Sequence, residues 1–114
     1  MNFKEYQDIA METAIYPPVI VESSTPQPDV GFVYPIMGLT GEVGEMNNKL
    51  KKVIRDGIEI DKEDMKAELG DVLWYIAALA TELDLDLNEV AEYNAKKLAD
   101  RMERGVLQGS GDTR

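Results

Sequence analysis

Apolar residues recur along most of the chain at the three- and four-residue spacing that is typical of amphipathic helices. The first such segment begins at Asn2, where residues 2–5 have the form of a capping box, and we expect Pro17 and Pro18 to end it. Residues 17–34 then contain four of the five prolines and have no helical periodicity. This stretch predicts a long connection, which is either functional or mobile.

Three further helices are predicted in the rest of the chain. The second runs from about residue 35 to residue 57, the third starts at Asp61, and the fourth runs from residue 86 to about residue 104. Strand signals are weak, because the Val-Ile-Val of residues 19–21 is the one β-branched cluster. The pattern therefore predicts an all-α, four-helix bundle-like fold.

Length and charge narrow the class of protein. A chain of 114 residues with 44% hydrophobic and 30% charged residues fits one globular domain, which we expect over residues 1–104 with a flexible tail over residues 105–114. The net charge of −10 argues against nucleic acid polymers and anionic membranes as partners. Neither a membrane-spanning run nor a signal peptide is recognisable, so we expect a cytoplasmic protein.

The chain has no cysteine and no histidine. This composition excludes a disulfide scaffold, a thiol nucleophile, a Ser-His triad, and most zinc and di-iron sites. Residues 84–95 imitate the start of an EF-hand loop but have glutamate at its sixth position and alanine at its twelfth. Any chemistry must therefore come from carboxylates, lysine, arginine, tyrosine or a hard metal ion.

Two pairs of carboxylates lie at the border of the apolar stripes of neighbouring helices. Glu42 and Glu45 form an i, i+3 pair on the second helix, and Glu68 and Asp71 form another on the third. If the stripes pack together, the four groups converge, and each close pair costs ~4 kcal/mol at an effective dielectric near 20. A hard cation such as Mg²⁺, Mn²⁺ or Ca²⁺ would relieve that repulsion.

The competing explanation is a solvated acidic face, since acidic i, i+3 pairs are common on helices. Either pair alone is readily explained in that way. Three glycines around Glu42, at positions 38, 41 and 44, weigh against it, because each costs ~1 kcal/mol relative to alanine in a helix. Close approach of another helix or of a ligand would explain them, and so would a frayed helix start.

Basic residues accompany the acidic pairs. Lys49 and Lys52 continue the acidic ridge of the second helix, and Asn94, Lys97 and Arg101 share one face of the fourth. Cations near helix C-termini complement the helix dipole, which explains either group alone. The functional alternative is a cradle for a polyanion, and together with metal-bound carboxylates it would suit a polyphosphate substrate.

Three segments carry a resemblance to a known family. Residues 41–45 (Gly-Glu-Val-Gly-Glu), 68–73 (Glu-Leu-Gly-Asp-Val-Leu) and 94–101 (Asn-Ala-Lys-Lys-Leu-Ala-Asp-Arg) resemble the MazG-like nucleoside triphosphate pyrophosphohydrolases, an all-α superfamily. The similarity covers roughly residues 36–102. It implies that the catalytic metal, one or two Mg²⁺ with Mn²⁺ as a substitute, is held by Glu42, Glu45, Glu68 and Asp71.

The resemblance also implies a reaction. A nucleoside triphosphate, in particular a dNTP, would be hydrolysed to its monophosphate and pyrophosphate by metal-activated water at the α-phosphate. Lys97 and Arg101 belong to the segment of residues 94–101 that resembles the family, so they are the first choices for binding the triphosphate. Tyr75 either contacts the sugar or base of the substrate or lies at the edge of the core. Many family members have a second glutamate directly before the first one of the motif, whereas here Gly41 precedes Glu42. The resemblance therefore does not identify the residue that activates the attacking water. Base selectivity is expected in the divergent N-terminal third.

A second class of function and an assembly are also predicted. The alternative to an enzyme is a helical interaction module whose acidic faces only keep it in solution. On the third helix, Trp74 lies about 160° from the centre of the apolar stripe, with Ala77, Ala78 and Thr81 nearby. A helix that is apolar on two sides is buried on two sides, so we expect a homodimer, or a tetramer built from dimers, packed on this face. A lone exposed tryptophan is the competing explanation.

Overall fold

The computed structural model describes residues 1–19 and 30–114. Four helices follow one another: α1 (Phe3–Met11), α2 (Val33–Asp56), α3 (Lys62–Glu82) and α4 (Leu87–Glu103). These ranges contain no strand, which confirms the all-α prediction. Part of the predicted connection, including most of the β-branched cluster, lies outside the described residues. Within the described ranges, no helix is long and apolar enough to cross a membrane.

The helix ends follow the predicted capping chemistry. Asn2 forms the capping box of α1, and Asp61 caps α3 by accepting from two backbone amides. Gly57 ends α2 in the left-handed region, at φ 64°, where glycine carries no side-chain penalty. One boundary differs, because α1 ends at Met11 rather than at the prolines. There the Thr13 hydroxyl donates to a backbone carbonyl and competes with continuation of the helix.

The helix α3 lies at the centre of the fold, with α2 against one side and α1 against another, and α4 packs on α1. The connection between α2 and α3 is short, so these two helices form an antiparallel hairpin. The buried core between α1, α3 and the start of α4 consists of Ala10, Ala77, Ala80 and Leu87. Small alanine side chains at these positions let the helices approach closely.

The Trp74 face of α3 is covered by α1 of the same chain. Trp74 Nε1 donates to the backbone oxygen of Ala10 at 3.1 Å, and Gln7 Nε2 donates to Thr81 Oγ1 at 3.0 Å. Ala77, on the same side, has no exposed surface. The premise of the assembly prediction, that one chain leaves this face uncovered, is therefore wrong, since the short α1 folds back across it. Packing of a second copy against what remains exposed stays a prediction.

Gln7 is a buried polar residue that fixes α1 to the turn between α3 and α4. Its Nε2 donates to the Leu85 carbonyl at 2.9 Å, and its Oε1 accepts from the Leu87 amide at 2.9 Å. A further bond runs from the Phe3 amide to Asn88 Oδ1 at 3.0 Å. The amides of Phe3 and Leu87 lie at the starts of α1 and α4, where backbone N–H groups have no partner within the helix, and these side chains accept from them. The helices α1 and α4 are thus joined by polar as well as apolar contacts.

Large apolar side chains remain exposed on α2 and α4. The radius of gyration is 17.8 Å, against ~13 Å for a compact domain of this length. Large apolar patches exposed to water on an extended chain are typical of surfaces that bind another protein chain. The exposed residues on the two helices include Ile36, Met37, Val43, Ile54, Val90, Tyr93, Leu98 and Met102.

Residues 105–114 form turns beside the end of α4. The Arg114 guanidinium donates to the carbonyls of Val106 and Gly111, at 3.3 and 2.6 Å. Arg101 Nη2 donates to the carbonyl of Asp112 at 2.6 Å. The flexibility predicted for this tail, and the domain boundary at residue 104, stay predictions.

Candidate metal centre

Three carboxylates from α2 and α3 meet where the two helices pack together. Glu42, Glu68 and Asp71 each offer one oxygen, and these oxygens all lie within 4.8 Å of one another. We call these three residues the acidic cluster. Glu45 lies outside the group of three, and its charge is among the causes that raise the pKa of Glu42. The structure thus brings the Glu68–Asp71 pair together with Glu42, and the place of Glu45 among the ligands stays a prediction.

Glu68 is the most buried member of the cluster, with 8% of its surface exposed. Its Oε1 accepts a hydrogen bond from Lys49 Nζ, which also lies 2.7 Å from Asp64 Oδ1. Its Oε2 is buried and has no hydrogen-bond partner among the residues that the structure describes. A buried carboxylate oxygen without a partner is costly, so this atom is well suited to ligating a cation.

Negative charge accumulates at Glu42. Its pKa is raised, first by burial and then by the charges of Glu45, Asp71 and Glu68. Both causes disfavour the ionised form, which a bound cation would restore. Lys49 supplies one positive charge at Glu68, and the raised pKa of Glu42 indicates that negative charge remains in excess at the site.

The chemistry of the cluster fits a hard divalent ion. Its donors are carboxylate oxygens, which Mg²⁺ and Mn²⁺ prefer to nitrogen or sulfur. Glu42, Glu68 and Asp71 would hold such an ion through one carboxylate oxygen each. The residues present thus fit a magnesium or manganese site.

Comparison with known proteins identifies the family. Residues 35–106, more than half of the chain, match the family model described as the MazG nucleotide pyrophosphohydrolase domain. The chain belongs to the MazG family. It is also 47% identical, over the full length of both chains, to a protein of Mycobacterium phage L5 named "Gene 37 protein". No solved structure matches the chain.

The MazG match includes all of the basic and amide residues predicted to bind substrate. Lys49 contacts the acidic cluster directly, whereas Lys52 is exposed farther along α2. Asn94 and Lys97 lie on α4, exposed and half-buried respectively. Arg101 is buried, and its hydrogen bond goes to the C-terminal residues. The substrate-binding roles of these five residues stay predictions.

The glycines that precede the acidic cluster in this MazG chain have different surroundings. A Cβ at Gly38 would lie 2.1 Å from Cε1 of Tyr75, so glycine is required for the ring to rest on α2. Gly41 and Gly44 have no such neighbour within 4 Å. Tyr75 therefore lies beside Glu42, and burial and then neighbouring groups raise the pKa of its hydroxyl. Close helix approach, one of the predicted explanations, is confirmed for Gly38.

An aromatic pocket beside the cluster was not predicted. Its walls include Tyr16, Pro17, Tyr34, Trp74 and Tyr75. The sequence offered one signal, since two of the tyrosines directly adjoin prolines at the ends of the long connection. Their meeting with the tryptophan depends on how the chain returns to α3, which no local pattern encodes.

Proposed function

We propose that this MazG protein hydrolyses nucleoside triphosphates, in particular dNTPs, to the monophosphate and pyrophosphate, with Mg²⁺ as cofactor and Mn²⁺ as a substitute. The observation that carries the proposal is the acidic cluster, in which a buried Glu68 oxygen lacks a partner. Three converging carboxylates without histidine or cysteine suit metal-assisted phosphoryl chemistry. The predicted cytoplasmic location and the absence of a nucleic acid polymer as partner belong to the same proposal.

Acidic and basic side chains of this protein would hold the metal ion and orient one another around it. When bound, Mg²⁺ neutralises triphosphate charge and lowers the pKa of a water that attacks the α-phosphate. Glu42, Glu68 and Asp71 would be ligands, and Lys49 orients Glu68 by bonding its Oε1, which leaves Oε2 for the ion. Glu45, next to Glu42, is proposed as the fourth carboxylate of the set.

The triphosphate would be bound by the cationic and amide side chains of α2 and α4. Lys97 and Arg101 remain the first choices, with Lys49, Lys52 and Asn94 as further candidates. A group that bonds a phosphate oxygen as charge develops in the transition state lowers the barrier to hydrolysis. Variants of a true phosphate ligand should therefore lose kcat/KM for every triphosphate, whatever its base.

We also propose that the protein is a homodimer or a homotetramer built from dimers. Its support is the exposed apolar surface of α2 and α4 and the large radius of gyration, not the Trp74 face. Light scattering at micromolar concentration should give a multiple of the 12.7 kDa chain mass. A monomer at that concentration would refute the assembly.

Product analysis tests the activity. The protein is incubated with each NTP and dNTP, with Mg²⁺, with Mn²⁺ and with chelator, and the phosphorus products are separated. We expect pyrophosphate and monophosphate with either metal and no turnover with chelator. Release of orthophosphate alone would refute the reaction, and absence of both turnover and Mg²⁺-dependent nucleotide binding would favour the interaction module.

A further inference from the structure

Lys49 of α2 bridges two carboxylates of α3. Its Nζ lies 2.7 Å from Asp64 Oδ1 and donates to Glu68 Oε1. Asp64 and Glu68 are four residues apart, so one turn of α3 places them on the same face of the helix. The Glu68 side chain is 10% exposed, so the ammonium contacts a buried acid rather than a solvated one. This bridge adjoins the acidic cluster directly, since Glu68 belongs to both.

Glu68 divides its two oxygens between different surroundings. Oε1 accepts from the ammonium of Lys49, while Oε2 is buried and has no hydrogen-bond partner among the described residues. A carboxylate that bridges two cations uses one oxygen for each, and the ions of two-metal phosphoryl-transfer sites lie ~3.5–4 Å apart. Glu68 is thus arranged as a bridging carboxylate, with an ammonium in the position of one of the two ions.

The ammonium meets the requirements of that position. It is a compact point charge with three N–H donors, and it uses them on carboxylate oxygens that a hard cation would ligate. An ion that ligated Asp64 Oδ1 and Glu68 Oε1 together would compete with Nζ for the space between them and would be repelled by its charge. The position between these two carboxylates is therefore closed to a metal ion while Lys49 occupies it.

We propose that Lys49 is a resident second cation, so that the site binds one divalent ion per chain and Asp64 serves to position the lysine. The proposal rests on the metal site of the hydrolase proposed above and adds the number of ions, which the family resemblance leaves at one or two. Because the lysine belongs to the chain, the charge that a second ion would supply does not depend on the metal concentration.

Mn²⁺ is the probe, because paired and single ions give different electron paramagnetic resonance spectra. Two-metal sites hold their ions close enough for two Mn²⁺ to couple magnetically, whereas ions scattered over the surface of a chain of net charge −10 do not couple. The intact protein, freed of metal by chelator and dialysis, is titrated with MnCl₂, and free Mn²⁺ is counted from its own signal. We expect one tightly bound ion per chain and no coupled pair.

Three variants locate the second position. Lys49→Met removes the ammonium and should bind a coupled pair of Mn²⁺. Lys49→Met combined with Asp64→Asn also removes a ligand of the second ion, and should return to one uncoupled ion. Lys51→Met is the matched control, since it removes an exposed lysine from the same helix and should behave as the parent. Thermal melts check that each variant is folded, and Lys49→Gln replaces Lys49→Met if that variant is not folded.

The outcomes separate this proposal from the hydrolase. A coupled pair in the parent would overturn the role of Lys49, and so would one uncoupled ion in Lys49→Met, because the lysine would then exclude nothing. A pair that persists in the double variant would overturn the role of Asp64. With turnover of triphosphates, all three results leave the hydrolase standing.

The reverse outcome is one ion in the parent, a coupled pair in Lys49→Met and no turnover of any triphosphate. It would refute the hydrolase and support the role of Lys49. A parent that binds no Mn²⁺ would refute the metal site and this proposal together.

Discussion

Asp71→Asn removes one charge from the acidic cluster while keeping the size of the side chain. Two carboxylate oxygens 4.8 Å apart repel by ~3 kcal/mol at an effective dielectric near 20 and by ~1 kcal/mol in water. Asp71 is exposed, so the lower figure applies, and the variant loses two of the three repulsions in the cluster. We therefore expect the metal-free variant to be about 1–2 kcal/mol more stable than the parent.

Mg²⁺ should reverse the order of stability of the two proteins, because it stabilises the parent more than the variant. A ligand that binds only the folded state at a hundredfold excess over its Kd stabilises that state by ~2.7 kcal/mol, which raises Tm by roughly 10 °C in a domain of this size. If the Kd for Mg²⁺ is a hundredfold higher in Asp71→Asn, the same Mg²⁺ concentration stabilises the folded variant by only ~0.4 kcal/mol. The variant should thus melt higher without metal and lower with it.

The assay is a thermal melt of both proteins at one protein concentration, with chelator and with millimolar Mg²⁺. Glu63→Gln is the matched control, since it removes one charge from the same helix at a side chain that is 81% exposed and paired with Lys66. It should retain the full Mg²⁺ shift. If Asp71→Asn also retains it, Asp71 is not a ligand and the site assignment is wrong.

Three further predictions concern single side chains. The raised pKa of Glu42 means that its carboxyl takes up a proton at higher pH in the folded than in the unfolded chain. The Glu42 carboxyl should therefore add to the metal-free Tm as pH falls from neutrality toward the ordinary glutamate pKa of 4.5, and the Tm should rise less in Glu42→Gln. Gln7→Leu leaves the buried Leu87 amide unsatisfied and removes the bond to the part-buried Leu85 carbonyl, which should lower the free energy of unfolding in urea by about 1–3 kcal/mol. Lys49→Met removes the cation bonded to the acidic cluster, so the metal-free Tm should fall, whereas exposed Lys52→Met should leave it unchanged.

The parts of the fold that the sequence predicted are those encoded by neighbouring residues. Capping by Asn2 and Asp61, and the left-handed Gly57, need only the residues within one turn of each helix end. The convergence of the carboxylates was also predictable, because i, i+3 spacing fixes a face and a short connection makes α2 and α3 neighbours.

The parts that were not predictable depend on contacts between distant residues. Trp74 was expected at an interface between chains, and only the return of α1 shows that Ala10 covers it. The pocket joins residues 16, 34 and 74, and the need for glycine at position 38 comes from a ring on another helix. Periodicity identifies an apolar face but not the element that buries it.

The way α1 is held has a consequence for the order in which the structure forms and opens. A helix of nine residues is too short to be stable alone in water, so α1 stays helical only while it is docked on α3. Its contacts close a loop of more than 60 residues, whereas the α2–α3 hairpin closes locally. We expect the hairpin, with the acidic cluster, to fold before α1 docks, and backbone amides of α1 to exchange with solvent faster than those of α3. Each undocking of α1 would also remove Thr13 from the wall of the aromatic pocket, so local opening at the N-terminus would open the pocket while the carboxylates stay in place.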